Sequence, residues 1–204
     1  MIQRILLALS LLLPPALGTV AVMASSEAKS GGMTLMDVDG KPRQPLDVGS
    51  ANHAAAIIFI SSDCPICQGY AGEINRLATA YGGKGFAFYV VYVDNDLTAD
   101  AARKQLKDYG ITCAALLDPT LRLAKKLDAN VTPDAVIIGP NQAVLYHGRI
   151  DDLYGSLGQR RFEAAHHDLR DALDAVAAGK SVPAPQSPAI GCSIDYPQPP
   201  TTQP

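Results

Sequence analysis

Residues 54–67 read Ala54-Ala55-Ala56-Ile57-Ile58-Phe59-Ile60-Ser61-Ser62-Asp63-Cys64-Pro65-Ile66-Cys67, and this stretch decides the fold. The uninterrupted apolar run from Ala54 to Ile60 predicts a strand buried on both faces, as in a parallel sheet. Ser61, Ser62 and Asp63 end it. Pro65 suits the first position of a helix, where its missing amide hydrogen would have had no partner anyway. Tyr70, Ile74, Leu77, Ala78 and Tyr81 then recur at helical spacing, and Gly82-Gly83 closes the segment. Two cysteines therefore sit where a buried strand hands over to a helix N-terminus.

That position has chemical consequences. Free backbone N–H groups and the positive end of the helix dipole favour a thiolate on Cys64, expected to be the more exposed of the two, and lower its pKa from the free value of about 8.5. A thiolate attacks disulfides, and Cys67, one turn further in, can attack the mixed disulfide formed on Cys64. A bridge between residues this close adds little stability on the loop-closure model, which points to reactivity rather than stapling. Structural zinc would need four ligands. Cys113 and Cys192 stand alone, and His53, His147, His166 and His167 are not spaced as ligand pairs with another cysteine. No metal and no cofactor are expected, and Cys64 and Cys67 are the candidate catalytic pair. Asp63 is expected to cap the helix, although an acid beside Cys64 would oppose its thiolate.

Working outward, Met33–Val38 alternates, Asp39-Gly40 supplies a turn, and Pro42–Leu46 returns, predicting a small hairpin that covers one end of the sheet. Downstream come a buried strand at Phe86–Val93, a helix capped by Thr98, a short strand at Ala114–Leu117, a short helix at Pro119–Leu127 and a strand at Asp134–Ile138. Ala143–Tyr146 pairs back on that strand, and Phe162–Ala177 forms a last helix with Phe162, Leu169, Leu173 and Val176 on one side. Strands alternating with helices predict an α/β domain, its mainly parallel sheet covered on both faces and closed by an antiparallel edge.

The chain of 204 residues is 48% hydrophobic and 18% charged, enough for one domain with its own core. Met1-Ile2-Gln3-Arg4 followed by an apolar run from Ile5, with Pro14-Pro15 and then Val22-Met23-Ala24, has the layout of a signal peptide cleaved after Ala24. The expected organisation is a signal peptide at 1–24, a flexible linker at 25–32, a domain at 33–180 and a Pro-rich tail at 181–204 in which no regular structure is expected. Cleavage removes Arg4 and no acid, so the formal charge moves from −3 to −4. That balance excludes a basic nucleic-acid footprint. A periplasmic or secreted location is expected, with no membrane span after leader removal, and it places four cysteines where disulfides persist.

From about Met33 to Cys192 the chain resembles the extracytoplasmic redoxin group of the thioredoxin superfamily, related to alkyl hydroperoxide reductase and thiol-specific antioxidant proteins. The stretches carrying the resemblance are Leu35–Lys41, Ser62–Cys67 with Tyr70 and Asn75, Leu117-Asp118-Pro119, Val131-Thr132-Pro133, Gly148–Asp152 and Pro188–Cys192. It implies a thioredoxin-like fold, a central mixed sheet with helices on both faces and an N-terminal β-hairpin, and a thiol-disulfide oxidoreductase acting on protein thiols, disulfides or a redox partner protein. It also implies that Pro133 is cis beside the cysteines and that the preceding backbone is free to pair with a substrate chain, which makes Thr132 and Pro133 the candidate substrate-binding residues.

Two alternatives stay open. Peroxidases of this superfamily place Pro, a hydroxyl residue and Cys at set spacings; Ser61 stands at the hydroxyl position, but Ile57 stands where Pro is expected. Copper chaperones of the Sco type use two cysteines and a distant histidine on the same fold, which would enlist Cys64, Cys67 and His147. Cys113 is expected to be a buried, inert thiol. Cys192 is a candidate third redox cysteine that could resolve Cys64, bridge Cys113 or stay free.

Overall fold

The computed structural model describes residues 32–49, 52–183 and 187–197. The expected signal peptide and nearly all of the expected linker lie outside the described residues.

The strands are β1 (Leu35–Asp37), β2 (Pro42–Arg43), β3 (Ala54–Ile60), β4 (Phe86–Tyr92), β5 (Ala114–Leu117), β6 (Val131–Thr132), β7 (Asp134–Ile138), β8 (Val144–Gly148), β9 (Tyr154–Ser156), β10 (Gln159–Arg160) and β11 (Cys192–Ser193). The helices are α1 (Pro65–Gly82), α2 (Ala99–Asp108), α3 (Arg122–Lys126) and α4 (Asp168–Ala177). Seven strands form one sheet in the order β2-β1-β5-β4-β3-β7-β8. β4 runs parallel to β3 and to β5, while β7, β8, β1 and β2 join antiparallel. This is the mixed sheet that the resemblance implied; the expectation of a mainly parallel sheet is not met, since two of its six strand pairings are parallel and four antiparallel.

β3 is central, and every one of its side chains is buried, which explains its lack of polar alternation. Ile58 and Ile60 point to the face covered by α1, α2 and α4 through Tyr70, Ile74, Leu77, Leu106, Leu169 and Leu173. Ile57 and Phe59 point to the other, where Leu123, Ala124 and Leu127 of the α3 region pack. The Thr98 cap is present, its hydroxyl accepting from the Ala101 amide at 3.2 Å.

Four details differ from expectation, each for a local reason. The N-terminal hairpin does not cover an end of the sheet; it extends it, because β1 pairs with β5. The last helix begins at Asp168 rather than Phe162, which is 95% exposed. Asp152 captures the Ala165 and His166 amides at 2.7 and 3.0 Å and holds that stretch in a turn. The helix expected from Pro119 begins only at Arg122, where buried Asp118 accepts the amides of Arg122, Leu123 and Ala124 at 2.9, 2.8 and 3.0 Å. The tail is not wholly irregular either. β11 pairs antiparallel with β6, and Ile194 is buried in the second core.

Candidate active site

The motif loop between β3 and α1 is fixed from below by Asp94, which follows β4. Its carboxylate accepts from the Ser61 hydroxyl at 2.8 Å, the Ser62 hydroxyl at 3.0 Å and the Ser62 amide at 3.1 Å. Gln105 of α2 and Gln68 of α1 both donate to the Ser62 carbonyl, at 2.7 and 3.3 Å. Asp94 and Gln105 were not singled out from the sequence. The available signal was the Asp94-Asn95-Asp96 exit of the strand beside β3, since an acid there lies next to the end of β3 in a parallel sheet.

Cys64 takes the N-cap position of α1 and Pro65 the first turn, with no side-chain cap. The expected cap on Asp63 is therefore displaced by one residue, and Asp63 is exposed. The Cys64 carbonyl accepts the Gln68 amide at 3.2 Å as the helix begins. Cys67 lies one turn on, and the two thiols are within hydrogen-bonding reach. The Thr132–Pro133 bond is cis, as the resemblance implied, and the Cys64 thiol donates to the Thr132 carbonyl at 3.1 Å.

Cys64 is not the more exposed cysteine. It is 1% exposed against 5% for Cys67. Part of its cover is the chain's own tail, since Cys192 pairs with Thr132 and its thiol reaches the Cys64 sulfur. The backbone before Pro133 is thus occupied by β11 rather than free.

The electrostatics separate the two motif thiols. As a thiol, Cys64 donates to Thr132; as a thiolate it loses that bond and accepts from the Cys67 thiol first, then from the Cys192 thiol and the amides of both residues. The bonds gained outnumber the one lost, so the Cys64 pKa falls to about 4 in spite of burial. Burial pushes Cys67 above the ordinary thiol range, and the hydrogen bond and charge of Cys64 push it further. Cys113 is half-buried against the core rather than fully buried as expected, and desolvation pushes its pKa to about 11.

The remaining candidates have structural partners. His147 Nε2 lies 2.8 Å from Asp134 Oδ2; that hydrogen bond raises the histidine pKa, and burial raises the aspartate's. Among the described residues no three His, Cys, Asp or Glu side chains gather as a metal site, so the residues present do not fit a copper ion shared by Cys64, Cys67 and His147. Asp151 accepts from the Tyr70 hydroxyl at 2.6 Å and the Leu153 amide at 2.8 Å, and Arg149 donates to Asp168 at 2.9 Å, roles that shape the turn after β8. Asn75 accepts from the amide and hydroxyl of Thr112 at 3.0 and 2.9 Å and so ties α1 to the start of β5.

No helix among the described residues is long and apolar enough to cross a membrane. Comparison with curated proteins finds no match. Among solved structures, a hypothetical protein from Sinorhizobium meliloti 1021 is 28% identical, with 81% of this chain and 91% of that one covered and a TM-score of 0.71. An uncharacterized conserved protein from Geobacillus kaustophilus is 31% identical, with 81% and 89% covered and a TM-score of 0.70. A putative thiol:disulfide interchange protein from Chlorobium tepidum, 21% identical over 57% of this chain and 79% of its own, with a TM-score of 0.50, shares the fold. The Redoxin family model matches residues 23–154, a span that takes in the strand-to-helix junction, both motif cysteines and cis-Pro133. With that match laid over the mixed sheet and the paired thiols, the chain belongs to the Redoxin family of the thioredoxin superfamily and is an oxidoreductase.

Proposed function

We propose that the protein is an exported thiol-disulfide oxidoreductase working through Cys64 and Cys67, with Thr132 and Pro133 forming the edge on which a partner chain is held in place of β11. The observation that carries this reading is the contact of three elements: Cys64 at the N-cap of α1, Cys67 one turn inside, and the Thr132 carbonyl 3.1 Å from the Cys64 sulfur. A partner thiolate attacks Cys64 Sγ of the Cys64–Cys67 disulfide. A mixed disulfide forms, and Cys67 leaves and takes up a proton, which its raised pKa favours. The partner's second thiolate then attacks its own sulfur in the mixed disulfide. The partner leaves with a disulfide, and Cys64 departs as a stable thiolate.

Export is supported by the charged start, apolar run and small residues before Ser25, and it places the pair where disulfides persist. The peroxidase reading receives less support. Ser61 stands at the expected hydroxyl position, but its hydroxyl is turned onto Asp94.

The test is to equilibrate the reduced wild-type protein with oxidised glutathione and map its disulfides after acid quench. The reading expects a disulfide between Cys64 and Cys67 within a single peptide while Cys113 stays a thiol. Recovery of Cys64 and Cys67 as free thiols under conditions that oxidise a free dithiol peptide would refute it.

A further inference from the structure

Cys192 is brought to Cys64 by backbone structure, at a cost in ordering that a terminal Pro-rich segment does not ordinarily bear. The strap from Ser187 to Tyr196 is held along its length. The Arg149 amide donates to the Ser187 carbonyl at 3.1 Å, the Ile194 amide to the Asn130 carbonyl at 3.0 Å, and the Tyr196 hydroxyl to the Ala129 carbonyl at 2.5 Å. Between these points Cys192 pairs with Thr132 and Ser193 with Val131. Two glycines permit the fit. A Cβ on Gly148 would overlap the Ser187 carbonyl, and one on Gly191 would overlap the Thr132 carbonyl. Ile194 then anchors the far side in the core.

The edge so occupied is the one beside cis-Pro133, where an added extended strand would find open backbone groups. The strap adds that strand from within, antiparallel, with a cysteine at the register position facing the motif. We propose that the Ser187–Tyr196 strap is a built-in substrate strand, which presents Cys192 to Cys64 so that Cys192 resolves adducts on Cys64 in competition with Cys67, and which leaves the β6 edge when an outside chain pairs there. This rests on the proposed reading of Cys64 as the sulfur that exchanges with a partner.

The step balances without an added oxidant. When Cys64 is joined to a partner sulfur, the Cys192 thiolate attacks Cys64 Sγ, the Cys64–partner bond breaks, a Cys64–Cys192 bond forms, and the partner thiolate leaves and takes up the proton that Cys192 gave up. Two thiols are within reach of Cys64, and Cys192 is the less hindered by its environment. Burial, then the hydrogen bond and charge of Cys64, push its pKa to about 11, below the value to which burial drives Cys67. Once Cys64 is held in a disulfide it carries no charge, and that part of the opposition disappears for both.

The experiment uses full-length protein with Cys67→Ser, reduced and then exposed to oxidised glutathione, with acid quench and peptide mapping. A tethered thiol competes at an effective concentration on the order of millimolar or above. The expected product is therefore a Cys64–Cys192 disulfide accumulating at the expense of the Cys64–glutathione adduct. Adding Gly191→Ala lifts the strap and should prolong the adduct by roughly tenfold or more, since the tether's advantage depends on geometry. A persistent glutathione adduct on Cys64 with Cys192 free in the Cys67→Ser protein overturns the proposal, as does an adduct lifetime unaffected by Gly191→Ala. Wild-type protein run alongside separates the two readings. A Cys64–Cys67 disulfide there with no Cys64–Cys192 disulfide in the variant sinks the strap alone, whereas Cys64 unreactive in both sinks the redox pair as well.

Discussion

With Cys64 replaced by serine, turnover of a model disulfide or dithiol should fall by at least about three orders of magnitude. A serine hydroxyl is neither ionised at neutral pH nor able to form the disulfide through which exchange passes. No other cysteine is placed to take over. Burial raises Cys67 and Cys192 even without the Cys64 charge, and it pushes Cys113 to about 11. At pH 7 a thiol of that pKa is ionised to roughly one part in 10⁴, and the attacking species is the thiolate. Cys67 in addition loses the sulfur with which it forms its bridge. Retention of more than about a tenth of wild-type turnover by the Cys64→Ser protein would remove Cys64 from the role of exchanging sulfur.

The second large effect concerns the pH dependence of the redox couple. Reducing a disulfide to two ordinary thiols takes up two protons, which gives a potential falling by about 60 mV per pH unit; if one product is already a thiolate the slope is about 30 mV for this two-electron couple. With Cys64 titrating at about 4 and Cys67 above the ordinary range, the shallow slope should extend from about pH 5 to pH 8 and steepen below about 4. Each pKa unit by which the thiolate lies below the working pH stabilises the reduced form by about 1.4 kcal/mol, or ~30 mV, so the couple should be more oxidising than the roughly −270 mV of thioredoxin. The same group affects folding only in the reduced protein. A pKa depressed in the folded state contributes stability that is complete above the unfolded value of about 8.5 and is lost as pH falls toward about 4. The oxidised protein lacks this contribution. Potentials measured against glutathione across that range, with denaturation of both redox forms, provide the check. A slope near 60 mV per unit throughout would mean that Cys64 is an ordinary thiol.

Much of the scaffold was legible in the sequence because it depends on local signals. The run Ala54–Ile60 is buried on both faces of the sheet and is therefore apolar without alternation, and Pro65 marks the helix start at the residue where α1 begins. Thr98 announces its own helix in the same way. What was hidden depends on side chains that bind backbone far away in sequence. Asp152 holds Ala165 and His166 in a turn, so the helical pattern begun at Phe162 is not used until Asp168. Asp94 fixes the Ser61-Ser62 loop from the next strand, a contact visible only once β3 and β4 lie side by side.

The tail was the least legible part of the site. Pro-rich composition around Cys192 signals irregular chain, and among its described residues only Cys192 and Ser193 form a strand. Its register against Val131–Thr132 is set by Ile194 in the core and by the absence of side chains at Gly148 and Gly191, features without any local periodicity. Hence Cys64 was expected to be the more exposed of the pair, and the contact of Cys192 with Cys64 was one of three outcomes the sequence left open for that cysteine. The cysteine pair itself was recognisable from position alone, whereas its electrostatic division into a low and a high pKa depends on the bonds that Cys67 and Cys192 donate to Cys64 and on the burial of Cys67.

The most direct test of the central claim traps the reaction at its first step. In the full-length protein with both Cys67→Ser and Cys192→Ser, exposure of the reduced form to oxidised glutathione should leave one stable glutathione per chain, mapped to Cys64 and released by a reductant. An adduct on Cys113, or no adduct on Cys64 while the folded protein is retained, would contradict it.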